Sequence, residues 1–87
     1  MIRVLYAPIF LRTLKKLEQD LIDETLEKID LLKEEKNYAS LKVHKLHGRF
    51  KKYFSFYVNY KIRIVFRYLD KSKIILIDIG DHDVYKD

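Results

Sequence analysis

The chain has 87 residues, 48% of them hydrophobic, with two glycines, one proline, no cysteine and a net charge of +5. That length buries one core, so residues 1–87 read as a single domain, and the composition is too apolar for a disordered chain. The lack of cysteine excludes disulfide scaffolds, thiolate metal sites and cysteine nucleophiles, and fits a reducing cytoplasm. No run is long and apolar enough for a membrane span or a signal peptide.

The charge is unevenly placed. Residues 1–40 carry 7 basic and 8 acidic side chains, residues 41–87 carry 11 and 5. Between Glu35 and Asp70 there is no acid, yet Lys36, Lys42, Lys45, Arg49, Lys51, Lys52, Lys61, Arg63 and Arg67 all fall there. Such a run points to a polyanionic partner, the plainer alternative being a solvated face kept for solubility. Charge does not separate RNA, DNA and an acidic protein.

In chain order the elements read β-α-α-β-β-β. Residues 2–6 are β-branched and aromatic, hence a strand, and Pro8 suits the first turn of a helix. Phe10, Leu14, Leu17 and Leu21 form one apolar stripe at helical spacing. Asp20 offers a cap for a second helix with apolar residues Ile22, Leu26, Ile29 and Leu32, and Asn37 offers a stop. The two helices should form a hairpin. Residues 37–48, with His44 and His47, have weak periodicity and read as a basic loop or a short extra element.

Residues 50–58 alternate as a strand, with Phe54, Phe56 and Val58 on one face and Lys51, Tyr53, Ser55 and Tyr57 on the other. Residues 62–68 do the same with Ile62, Ile64, Phe66 and Tyr68 against Arg63, Val65 and Arg67. Sharing the apolar face requires an odd loop, simplest as Asn59-Tyr60-Lys61. Tyr57 then lies opposite Arg63 and Tyr53 opposite Arg67. Asp70-Lys71-Ser72 turns the chain into residues 73–79, whose Ile74-Ile75-Leu76-Ile77 suits a central strand. The expected fold is α+β, a two-helix hairpin on one face of a mainly antiparallel twisted sheet. The other face interleaves Lys51, Tyr53, Tyr57, Arg63 and Arg67. Cations suit phosphates and aromatic rings suit unstacked bases, as on single-stranded RNA platforms. The alternative is that the tyrosines only pack against arginine stems.

The element order over nearly the whole chain resembles the RelE/ParE toxin superfamily of type II toxin–antitoxin pairs, with its RelE, YoeB and YafQ branches. Two stretches carry the resemblance in wording. His44-Lys45-Leu46-His47-Gly48 leads into the basic aromatic segment 49–57, and Ile79-Gly80-Asp81-His82-Asp83-Val84-Tyr85 resembles the family's tail, a strand running into a glycine-flanked histidine and then an aromatic residue. The resemblance implies a cytoplasmic endoribonuclease, an mRNA interferase that inhibits translation, often on the ribosome, by attack of the ribose 2′-hydroxyl on the adjacent phosphate, with neither metal nor other cofactor. That chemistry needs a base, positive charge at the phosphorane and an acid for the leaving 5′-oxygen. The resemblance makes His82 the acid or base and Arg63 the phosphate ligand. It makes Tyr85 a stacking or proton-exchanging group and His44 the second proton-transfer group. Lys45, Arg49, Lys51, Lys52, Tyr53, Tyr57, Lys61 and Arg67 would bind RNA. It also implies an antitoxin partner, an acidic helical segment against the basic sheet and the helix hairpin.

The chain departs from the pattern in its acidic and histidine positions. The YafQ-like branch has a histidine and an aspartate near the first hairpin where Tyr57 and Lys61 stand here, and the YoeB-like glutamate has no counterpart. The base is therefore open between His44 and a lysine such as Lys51 or Lys52. Other readings stay beside these: His82 as a salt-bridged surface histidine between Asp81 and Asp83, Tyr85 as an anchor for the C-terminus, and His47 as loop structure. At the level of function the alternatives are a ParE-like protein that poisons gyrase by binding, and an inactive relative that only binds antitoxin.

Overall fold

The computed structural model describes residues 1–85, with the side chains of His82 and Tyr85 outside the description. The order is β1 (Arg3–Tyr6), α1 (Pro8–Lys15), α2 (Gln19–Leu32), β2 (His44–Lys45), β3 (Phe54–Tyr57), β4 (Arg63–Asp70) and β5 (Lys73–Gly80). Single 3-10 turns lie at Glu35–Asn37, Gly48–Phe50 and His82–Tyr85. The strands form one sheet in the order β1-β5-β4-β3-β2, parallel at β1·β5 and antiparallel elsewhere. This is the expected α+β architecture, with the unassigned basic stretch contributing β2 as a two-residue edge. Among the described residues no helix is long and apolar enough to cross a membrane.

The core lies between the helices and one sheet face. Phe10 of α1 and Ile29 and Leu32 of α2 are buried with Phe56, Ile64, Phe66, Ile74, Leu76 and Ile79 of the sheet. The helix boundary differs from the sequence expectation. The chain leaves α1 at Lys16, and Glu18 rather than Asp20 holds the N-cap position of α2, with no side-chain cap bond. Leu17 and Leu21 therefore belong to the turn and the second helix, not to one continuous stripe. The buried face of α2 runs through Thr25, Ile29 and Leu32, while Leu26 is 47% exposed. Thr25 is fully buried and its neighbour Leu26 faces solvent, so the buried face of α2 is turned by one residue from the one that apolar spacing predicts. The helix ends at Leu32, five residues before the expected stop at Asn37, which closes the following 3-10 turn while its side-chain amide donates to the Leu31 carbonyl at 2.8 Å.

The hairpin register is the one the sequence requires: Phe54 faces Phe66, Phe56 faces Ile64 and Tyr57 faces Arg63. β3, however, starts at Phe54, not at residue 50. Gly48 has φ 68°, in the region that favours glycine, and the chain winds through a 3-10 turn to Phe50, whose carbonyl accepts from Tyr53 N–H at 2.8 Å. Lys51 and Tyr53 are thus outside the strand, and Tyr53 does not pair with Arg67.

Asn59 secures the loop between β3 and β4. Its Oδ1 accepts from the backbone N–H groups of Lys61 and Ile62 at 2.9 and 2.8 Å, and its Nδ2 donates to Glu24 Oε1 of α2 at 2.9 Å. Removing three bonds from a half-buried group should cost about 1–2 kcal/mol. Asn59→Ala is expected to lower the urea midpoint accordingly; a change under about 0.5 kcal/mol would show that the turn closes without its side chain. At the β4–β5 turn, Asp70 Oδ1 accepts from Ser72 N–H at 2.8 Å and from its hydroxyl at 3.1 Å, and Lys73 Nζ lies 3.6 Å from Oδ2. The Ser72 backbone bond, first among these, holds the carboxyl below the usual range. A lowered folded-state value stabilises the turn above the ordinary carboxylate range, and that support is lost as pH falls through the lowered value.

Candidate functional site

The register assigns side chains to the sheet face away from the helices. One row crosses it as Tyr57, Arg63 and Gly80, the next as His44, Ser55, Val65 and Asp78, and a third as Arg67, Ile75 and Leu5. The middle of this face is not the open platform that alternation suggests. Ser55 and Val65 are buried at 0% and 5% exposure. Phe50, Tyr53 and Val84 lie over Val65, Ile77 and Asp78, leaving a cavity of about 150 Å³. Ile77 reaches this face because Leu76 pairs with Phe66 while Asp78 pairs with Val65, making Ile77 the extra residue of a bulge. Gly80 helps the C-terminal 3-10 turn to fold back, since a Cβ there would come within 3.3 Å of Val84 Cβ.

At the open end, Tyr57 gathers the charged groups. The Arg63 guanidinium lies over its ring at 3.7 Å from the centroid, Lys42 Nζ at 5.2 Å, and the His44 ring meets it edge-on at 6.4 Å. Arg63 Nη1 donates to the Tyr60 carbonyl at 3.0 Å, while its Nε is buried without a hydrogen-bond partner among the described residues. A permanent cation with donors left beyond the one bond to Tyr60 is suited to an anion. The segment before β2 is docked by Tyr57 N–H donating to the Leu41 carbonyl at 2.9 Å. Lys42 has φ 56°, left-handed backbone that costs a lysine about 1 kcal/mol. The His44 ring bonds the Lys42 carbonyl through Nδ1 at 2.8 Å. A carbonyl can only accept, so Nδ1 carries the proton in that bond and Nε2 the lone pair of the neutral ring.

The structure thus brings together Arg63, His44 and Tyr57 from the sequence candidates and adds Lys42, which the sequence offered only as one cation in an acid-free run. The backbone of the tail starts beside Arg63, because Gly80 is its partner in the register; the side chains of His82 and Tyr85 lie outside the described residues. Lys61 is exposed on the hairpin loop and Arg67 on the third row. Arg49, Lys51 and Lys52 are exposed along the 3-10 turn and the residues after it, Arg49 lying 5.4 Å from the Phe50 ring. Lys45 pairs with Phe54 and so stands on the helix-side face, away from the cluster, while Tyr53 helps close the second face. Among the described residues no three His, Asp or Glu side chains converge as a metal site. A hollow of about 650 Å³, lined by Leu21 and by the acids Glu18, Asp20, Asp23, Glu24 and Glu27, would repel a polyanion.

No model of a known family matches the sequence, and no curated protein does. Solved structures do match in fold. YafQ from Escherichia coli BL21(DE3) superposes with a TM-score of 0.79 at 15% identity, covering 100% of both chains. A chain of the toxin–antitoxin complex RelBE2 from Mycobacterium tuberculosis gives 0.75 at 17%, covering 93% of this chain and 98% of that one. A chain of the archaeal RelE–RelB complex from Pyrococcus horikoshii gives 0.70 at 19%, covering 92% and 93%. At these identities the likeness is one of fold, and the fold is that of the RelE-like toxins.

Proposed function

We propose that this chain is the toxin of a type II toxin–antitoxin pair and a metal-independent endoribonuclease that cleaves mRNA in the cytoplasm, on the ribosome. The observation that carries the reading is the cluster at Tyr57, where Arg63 at 3.7 Å and His44 at 6.4 Å share one ring. In the reaction the ribose 2′-oxygen bonds to phosphorus and the bond from phosphorus to the 5′-oxygen breaks. One histidine, His44 or His82, takes the proton of the 2′-hydroxyl, and the other gives a proton to the departing 5′-oxygen. Arg63 neutralises the phosphorane oxygens, aided by Lys42, and Tyr85 stacks on a base or shares in proton exchange. Arg49, Lys51, Lys52, Lys61 and Arg67 guide the strand by charge, Lys45 adds long-range positive potential from the helix-side face, and Tyr53 supports the path from outside the cluster.

The partner is an antitoxin whose acidic helical segment covers basic and apolar surface. Support for it comes from the neighbours solved as toxin–antitoxin complexes and from Ile9, Leu11 and Leu26, exposed on the helix hairpin.

The test incubates the purified protein with mRNA, free and on programmed ribosomes, beside His44→Ala and His82→Ala. Cleavage leaving 2′,3′-cyclic or 3′-phosphate and 5′-hydroxyl ends, lost in both variants, is the expected result. Intact RNA in every lane would overturn the reading, and a gyrase cleavage-complex assay would then examine the ParE-like alternative.

A further inference from the structure

We propose that the groove between α2 and the β3–β4 loop seats one guanine base of the bound RNA, read by the carboxylate of Glu24. The inference rests on the RNA-cleaving reading above and adds to it a base-specific subsite. The groove measures about 380 Å³, and its walls include Glu24, Lys28, Lys42, Tyr57, Asn59 and Tyr60. That volume falls within the range of about 300–1,000 Å³ typical of small-ligand clefts. Tyr57 and Lys42 belong to both the groove and the cationic cluster, so a strand whose phosphate lies at Arg63 has a neighbouring base within reach of it.

Glu24 is what makes the groove selective. Residues 36–69 contain no acid, and the carboxylate in this groove comes from another element, helix α2. On a surface that binds a polyanion, a carboxylate disfavours phosphate and favours the donor edge of a base. Its orientation is fixed: Oε1 accepts from Asn59 Nδ2 at 2.9 Å, and Asn59 is itself held by the backbone N–H groups of Lys61 and Ile62. A carboxylate has about four acceptor positions, so most remain to be used. Guanine presents two adjacent donors, N1–H and the N2 amino group, which match a carboxylate in a forked pair. Adenine and cytosine present a single amino group beside an acceptor, and uracil a single N–H. Tyr60, 88% exposed and hence not needed for packing, offers its ring for stacking.

The experiment is an NMR titration of the protein with guanosine, adenosine, cytidine and uridine, which lack phosphate and so do not engage Arg63 by charge. Guanosine is expected to shift the Asn59 side-chain amide and the Tyr60 ring with about tenfold higher affinity than the others. Glu24→Gln keeps an acceptor for Asn59 but replaces one acceptor oxygen by a donor, and should abolish the preference. Tyr60→Ala should weaken all four nucleosides without affecting the fold. Equal shifts from the four nucleosides, no shift from any, or a guanosine preference that survives Glu24→Gln would each overturn the proposal. RNA cleavage without guanosine preference would sink this inference alone; guanosine binding in a protein that leaves RNA intact would sink the functional reading alone.

Discussion

Arg63→Ala is expected to reduce RNA cleavage by about 10²–10³-fold, the effect of removing one preorganised group from a charged transition state, while changing unfolding free energy by no more than about 1 kcal/mol. The asymmetry follows from how the side chain is held. Replacing it removes the bond from Nη1 to the Tyr60 carbonyl and the contact with the Tyr57 ring, both stabilising. It also removes a buried Nε that has no partner among the described residues, a cost of similar size to the bond lost. The two nearly cancel, which is the pattern of a group retained for activity at some expense to stability. Arg63→Lys should recover part of the activity, because an ammonium keeps the charge but not the flat fork that stacks on Tyr57 and reaches two phosphate oxygens. Single-turnover cleavage and urea unfolding on the same preparations decide the matter. Unchanged cleavage in the alanine variant would remove Arg63 from the mechanism, and a loss of several kcal/mol would make it a structural residue.

What the sequence reveals about this site depends on the range of the interactions involved. The β3–β4 register is legible because Val58, Phe56 and Phe54 must share a face with Ile62, Ile64 and Phe66, and only an odd loop allows it. Tyr57 opposite Arg63 follows at once. The start of β3 is not legible, because the alternation of residues 50–58 continues through a segment that Gly48 has already turned into a 3-10 helix. Leu26 misleads as well: hydropathy prefers it to Thr25, yet the buried face of α2 runs through Thr25, Ile29 and Leu32 and leaves Leu26 in solvent. Strand order, with β1 parallel to β5, is set by tertiary packing and has no local signature. The cover of Phe50, Tyr53 and Val84 over Val65 is likewise assembled from residues far apart in the chain. So the residue types of the site could be named from the sequence, and the Glu24–Asn59 contact, spanning 35 positions, could not.

Phe66→Ala should cost about 3–5 kcal/mol, the largest effect of any single truncation considered, and Phe66→Leu under about 1.5 kcal/mol. Phe66 is fully buried on β4, with ring centroids of Phe54, Phe56 and Tyr68 at 5.7, 5.8 and 5.8 Å, so its removal empties the centre of an aromatic cluster drawn from both strands of the hairpin. A domain of this length has only about 5–12 kcal/mol in total, so the alanine variant should populate the unfolded state measurably and a partner that binds only the folded state should restore it. Thermal unfolding followed by circular dichroism gives the cost; a loss below about 1.5 kcal/mol would mean that the sheet and helices collapse into the vacated space. Phe66 and Arg63 occupy opposite faces of one strand, three residues apart. Truncating the first should lower cleavage only in proportion to the fraction unfolded, whereas truncating the second should lower it with the chain fully folded. Measured side by side, the two variants separate what β4 does for the core from what it does for the chemistry.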